Sequence, residues 1–282
     1  MTTETNKRGA IGMFDSGVGG MSVFEEVTAL MPNESVVYFA DTAHCPYGGR
    51  SDREVVGFCE EVSHFLTGLG CKLIVVACNT ATAVAIDGLR QRFVGVPFVG
   101  MEPAVKPAVK ESRSGVIGVL ATTGTFRGRL FRETLARHAG SVRVIEADGA
   151  GLVELVEAGK GDSPEADALL RERLAPLLAA GIDSLVLGCT HYPFLSAAIR
   201  RVAGESVTLI STGKAVARRV QQLLLERGLA AEADTVATHW FYASAPSPVL
   251  EARAGATVRR GGEGREERGE GERKRPKGAA LI

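Results

Sequence analysis

Leu185-Val186-Leu187-Gly188-Cys189-Thr190-His191-Tyr192-Pro193 decides how this chain is read: an apolar run ends at a small residue, and a cysteine follows among polar neighbours. An earlier stretch, Leu73-Ile74-Val75-Val76-Ala77-Cys78-Asn79-Thr80, has the same make-up. Apolar residues on consecutive positions are what a strand covered on both faces requires, and such strands belong to parallel sheets flanked by helices. The chain thus delivers a thiol twice at the mouth of a buried strand.

Outward from these two stretches, strands alternate with helices. Ala10 to Phe14 predicts a first strand, and Asp15-Ser16-Gly17-Val18-Gly19-Gly20 a glycine-rich turn opening a helix through Leu30. Val36 to Ala40 predicts a second strand ending in the loop Asp41 to Gly49. Ser51 and Glu54 have capping-box spacing, opening a helix whose apolar face is Val55, Phe58, Val62 and Phe65. A helix from Ala81 to Phe93 and a short strand near Pro97 to Val99 follow Cys78. The second series predicts a strand over Gly115 to Leu120, a small-residue turn over Ala121 to Thr125 and a helix over Phe126 to His138. It continues with a strand over Val142 to Glu146, helices near Leu152 to Glu157 and Glu165 to Leu178, and the strand Ser184 to Leu187.

Ile11 to Phe14 overlays Ile117 to Leu120 at an offset of 106, and Cys78 overlays Cys189 at 111, which marks an internal duplication. The expected fold class is α/β: two pseudo-symmetric doubly wound parallel-sheet domains with the active site in the cleft between them. We expect an N-terminal domain over 9–99, rejoined by about 208–244, and a second over 100–207. The helix Thr212 to Arg227 and the strand Thr238 to Tyr242 fall in the returning segment. Residues 245–282 read as a disordered charged tail, since Arg259 to Gly278 has no apolar residue.

Composition limits the function classes. With 45% hydrophobic residues in 282 the chain can fill a substantial core. No apolar run reaches the ~18 residues of a membrane span, and Met1 to Ala10 has no apolar segment behind it, so the reading is a soluble cytoplasmic protein. Cys45, Cys59, Cys71, Cys78 and Cys189 form no CxxC pair and no even set, against both a disulfide framework and a structural zinc site. Net charge is zero, but Arg259 to Lys277 holds eight Lys/Arg and five Glu, leaving the body slightly acidic and nucleic-acid binding unexpected. The Gly17-Val18-Gly19-Gly20 run lacks the spacing and the lysine of a phosphate cradle.

A cysteine acts as base or nucleophile only as thiolate, and helix N-termini and polar neighbours such as Asn79-Thr80 and Thr190-His191 shift that balance or bind a carboxylate. One cysteine beside a histidine would suggest acyl transfer. Two in mirrored positions suggest deprotonation of a carbon acid on one face and reprotonation on the other, which inverts a stereocentre.

Four motifs then occur together in one order: Phe14-Asp15-Ser16-Gly17-Val18-Gly19-Gly20, Pro46-Tyr47-Gly48, Ala77-Cys78-Asn79-Thr80-Ala81 and Gly188-Cys189-Thr190-His191-Tyr192-Pro193. In this the sequence resembles the glutamate racemases of the aspartate/glutamate racemase superfamily, from about Gly9 to Tyr242. It departs at His44, where the family commonly has arginine, and before Val156-Glu157, where the usual Cys-Pro is missing. The resemblance implies cofactor-independent interconversion of L- and D-glutamate, with D-glutamate feeding peptidoglycan precursors, and a homodimer. It implies Cys78 and Cys189 as the acid/base pair, Asp15 assisting Cys78, and His191 and Glu157 assisting Cys189. It implies substrate contacts from Asp15, Ser16, Tyr47, Gly48, Asn79, Thr80, Thr190 and His191, with no metal and no cofactor.

Plainer readings stand beside these. Asp15 can simply cap a helix, and Glu157 can be a solvated helix residue. Cys45, Cys59 and Cys71 are expected as small buried hydrophobes, and His64, His138 and His239 as structural or solvent-facing. Aspartate and hydantoin racemases also carry paired cysteines, and a protein keeping the fold only to bind a partner is a third reading. A pyridoxal phosphate racemase would need a lysine in these loops, and none is there.

Overall fold

The computed structural model describes residues 9–261. Two parallel sheets form. The first contains β1 (Ile11–Asp15), β2 (Val36–Ala40), β3 (Leu73–Val76) and β4 (Phe98–Val99), with α1 (Met21–Leu30), α2 (Asp52–Gly68) and α3 (Asn79–Arg92) between them. The second follows α4 (Val105–Glu111) and contains β5 (Val116–Ala121), β6 (Arg143–Asp148), β7 (Ser184–Leu187) and β8 (Thr208–Ile210). Its helices are α5 (Thr123–Arg127), α6 (Arg129–His138), α7 (Leu152–Glu157), α8 (Pro164–Ala179) and α9 (Ser196–Ala203). The chain then runs through α10 (Gly213–Glu226), which packs on α1, and returns to the first sheet as β9 (His239–Ala243).

The duplication is visible in strand order. The second sheet is ordered β6-β5-β7-β8, and the first contains the same series, β2-β1-β3-β4, extended by β9 and an edge strand β10 (Val258–Arg260). Register agrees as well: Ile11 pairs with Leu73 and Val36, while Ile117 pairs with Ser184 and Val144. Each thiol therefore lies five residues beyond an equivalent register point.

Local chemistry explains most boundaries. Ser51 and Glu54 form the capping box: the Ser51 amide donates to the Glu54 carboxylate at 3.0 Å, and the Glu54 amide donates to Ser51 Oγ at 3.4 Å. The helix expected over 126–138 is broken in two, because Gly128 takes an extended conformation (φ −63°, ψ 140°) between α5 and α6. One apolar core, including Val18, Met101, Val153, Leu187 and Leu250, runs across both lobes, and each sheet has a further cluster of its own.

Two expected limits change. β8 pairs with β7, so the second lobe runs through Ile210 rather than ending at 207. Residues 245–261 are not a disordered tail: α11 (Pro248–Ala254) and β10 (Val258–Arg260) are formed, and β10 joins β9 in parallel. Ser247 Oγ accepts the Leu250 amide at 3.2 Å, Pro248 occupies the first turn and Leu250 is fully buried. Arg259 and Arg260 hid the strand, since backbone pairing at a sheet edge accepts charged side chains that periodicity discounts. The rest of the expected tail, 262–282, lies outside the described residues.

Candidate active site

Both cysteines reach one narrow cleft between the lobes. Its wall contains Ser16, Pro46, Tyr47, Gly48, Cys78, Asn79, Thr80, Thr122, Val153, Cys189, Thr190 and His191. All the residues expected as substrate contacts stand on that wall except Asp15, which lies behind it, as does Glu157 on the other side.

On the Cys78 side, β3 ends and Cys78 stands as the N-cap residue of α3, in extended backbone. Burial raises its pKa well above that of a free thiol, the Asp15 charge adds to this, and the Ala81 amide opposes it. Asp15, wholly buried, accepts the Gly20 amide at 2.7 Å and the Thr190 hydroxyl at 3.1 Å, the latter from the other lobe. Burial raises its pKa too, against the opposing His191 charge and a hydrogen bond with Cys78.

On the Cys189 side, three groups stand in line. Cys189 Sγ lies 3.7 Å from His191 Nδ1, and His191 Nε2 lies 2.6 Å from Glu157 Oε1, which also accepts the Val18 amide at 2.7 Å. Burial disfavours the imidazolium, yet contacts with Cys189, Cys45 and Glu157 outweigh it and hold the His191 pKa well above its ordinary value. Glu157 is pushed up by burial but ends below the ordinary carboxylate value, because His191 and the Val18 amide favour its charge. Glu157 is therefore no solvated helix residue. The glycine loop has a steric role here: a Cβ at Gly17 would overlap the Glu157 carboxylate, and one at Gly19 the His191 ring.

The remaining walls are polar. Tyr47 donates to Asp41 Oδ2 at 2.6 Å, and His44 Nδ1 lies 2.8 Å from Asp41 Oδ1 while its ring stacks on Phe58. The Asn79 side chain is buried with neither its amide nor its carbonyl paired, at the start of a helix and on the cleft wall. Such an orphan is costly unless a bound polar group meets it, and a carboxylate fits that amide and the helix N-terminus.

Two residues of the site were not anticipated. Thr122 lines the cleft and meets Thr80 across the lobes, hydroxyl to hydroxyl, at 2.9 Å. The duplication offset contained the signal, since 106 residues separate it from Ser16. Cys45, expected in the core, is half-buried beside this cleft, 3.9 Å from Ser16 Oγ. Cys45, Glu157 and His191 are the group of three metal-ligating side chains found together among the described residues.

Comparison with known proteins places this geometry. Residues 21–220 match the family described as Asp/Glu/Hydantoin racemase. A glutamate racemase of Herpetosiphon aurantiacus is 52% identical over 214 residues, which cover 76% of this chain and 84% of that one. The crystal structure of Escherichia coli glutamate racemase with L-glutamate and the activator UDP-MurNAc-ala superimposes with a TM-score of 0.79 at 32% identity, covering 89% of this chain and 98% of that one. Glutamate racemase of Francisella tularensis with D-glutamate gives 0.76 at 26% identity, covering 88% and 92%. A shared fold, half of the aligned residues in common with a glutamate racemase and two thiols on one interlobe cleft lead to one assignment: the chain belongs to the Asp/Glu/Hydantoin racemase family, among its glutamate racemases.

Proposed function

We propose that this racemase interconverts L- and D-glutamate by moving the α-proton between Cys78 and Cys189, with no cofactor. The observation that carries the reading is the placement of both thiols on one cleft from equivalent strand ends. One thiolate removes the α-proton while the opposite thiol supplies a proton to the other face, so each turnover inverts the carbon and exchanges the two thiols' protonation states.

The two sides are unlike in a way that suits this. Burial and the Asp15 charge keep Cys78 protonated in the resting cleft, ready as the acid. Cys189 faces His191, which carries a proton held by Glu157 and is placed to exchange it with the thiol. The substrate α-proton is much less acidic than a thiol, so donors facing the developing charge must supply much of the rate. Asn79, Thr80, Thr190 and the amides opening α3 are those donors, and Ser16, Tyr47 and Gly48 line the same cleft. The Escherichia coli and Francisella tularensis relatives bind the two enantiomers of the same molecule, which supports glutamate as substrate.

We further propose that the product supplies peptidoglycan precursors in the cytoplasm and that the enzyme is a homodimer. No helix among the described residues is long and apolar enough to cross a membrane. Polarimetry on L-glutamate without added cofactor tests the activity. The rotation decays to zero if the reading holds, whereas a stable rotation with glutamate and decay with aspartate assigns the fold to another substrate.

A further inference from the structure

Cys45 has no part in the proton transfers above, yet it touches the groups that serve Cys189. Its Sγ, a Glu157 carboxylate oxygen and a His191 ring nitrogen all lie within 4.8 Å of one another. Three separate segments bring them there: the loop after β2, the end of α7 and the turn after β7. The His191 side chain is buried, while the Glu157 side chain is 19% exposed and Cys45 is half-buried, so the cluster is within reach of solvent.

A thiolate, an imidazole and a carboxylate form a donor set suited to zinc, which takes N, S and O ligands at ~2.0–2.3 Å in a tetrahedron and tolerates water in the fourth position. Ligands at those lengths stand about 3.6 Å apart in such a tetrahedron. The ligand atoms of the cluster lie within 4.8 Å of one another, and the Glu157–His191 pair, at 2.6 Å, must open by about 1 Å to admit the ion. Spacing along the sequence gave no sign of this, because none of the three is near another in the chain.

We propose that Cys45, Glu157 and His191 form a binding site for a zinc-class divalent cation, and that occupancy inhibits the enzyme. The ion replaces the proton that His191 Nε2 and Glu157 share at 2.6 Å, takes the carboxylate out of its pairing with the imidazole and fixes the ring tautomer facing Cys189. Ser16, beside Cys45, is on the cleft wall, so the ion also stands at the edge of the substrate site. The racemisation itself passes through no metal. The inhibition rests on the racemase reading; the site does not.

The full chain, stripped with EDTA, is titrated with Zn²⁺ during racemisation of L-glutamate, and with Co²⁺ while thiolate-to-cobalt charge-transfer absorption is followed. Inhibition that EDTA reverses is expected, and Cys45→Ser raises the half-inhibiting Zn²⁺ concentration at least ~10-fold, read against the variant's own metal-free rate, since even outer-shell changes cost 10- to 100-fold in metal affinity. The cobalt band is expected in the wild type and in Cys78→Ala, and lost in Cys45→Ser. Undiminished inhibition of Cys45→Ser, a band that survives in it but vanishes in Cys78→Ala, or no band at all overturns the site. A Cys45-dependent band in a chain that leaves glutamate untouched keeps the site and overturns the racemase reading instead.

Discussion

His191 Nε2 and Glu157 Oε1 are 2.6 Å apart, and the same carboxylate oxygen accepts the Val18 amide from the other lobe. One acid thus orients the imidazole facing Cys189 and fastens the glycine loop that carries Asp15 and Ser16.

Replacing Glu157 with glutamine keeps an acceptor for Val18 but removes the charge that helps hold the His191 proton. Because His191 is raised by its partners, its pKa falls in the variant. The expected outcome is a kcat at least ~10-fold lower, against the 10²- to 10⁴-fold worth of a full acid/base group, with KM for glutamate little changed. The limb of the pH profile that reports His191 moves to lower pH, which rate measurements from pH 6 to 10 read directly.

The same pair makes stability pH-dependent. His191 has a folded pKa raised above its ordinary 6.5, so its contribution is complete below that value and is lost as pH rises through the folded value. The melting-temperature difference between the wild type and His191→Asn is expected to narrow from pH 6.5 upward. Glu157 has the opposite sign: its contribution holds above the ordinary carboxylate value and is lost as pH falls through its lowered one. Melting curves across both ranges separate the two.

Gly19→Ala puts a methyl where the His191 ring lies. The ring must move, and misplacement of a catalytic group by about 1 Å costs on the order of 100-fold in rate. Circular dichroism should show the fold retained while turnover is lost.

Thr122→Val removes the hydroxyl that meets Thr80 on the cleft wall while keeping shape. A hydrogen bond is worth roughly 0.5–1.5 kcal/mol, so a two- to tenfold rise in KM for glutamate is expected from steady-state kinetics.

The C-terminal helix can be tested by Leu250→Ala. Leu250 is fully buried in the core shared by both lobes, and Arg253 of the same helix lies 3.6 Å over the Phe194 ring. Emptying the site costs about 2–5 kcal/mol, and urea unfolding measures it. A change below 1 kcal/mol would show that 245–261 is dispensable.

Much of this was legible in the chain. Consecutive apolar residues at Leu73 and Leu185 fixed parallel strands, and the two offsets foretold equivalent registers, because strand and turn chemistry is local. Less legible were groups joined only by the fold. Glu157 acquired meaning from Val18 and His191, which lie 139 and 34 residues away. Cys45 looked like any small hydrophobe, and the short helix after Ser247 had too few turns to show a period. The glycines at 17 and 19 invited comparison with a phosphate loop, whereas their use is to make room for Glu157 and His191.

The central claim, two thiols acting on opposite faces, is tested most directly by early-time racemisation of L-glutamate in deuterated water. The account predicts that the first D-glutamate formed carries deuterium at the α-carbon while the remaining L-glutamate keeps its proton, because the proton removed by one thiol is not the one returned by the other. Equal deuterium in both enantiomers from the first turnovers would mean that one base serves both faces, and would contradict it.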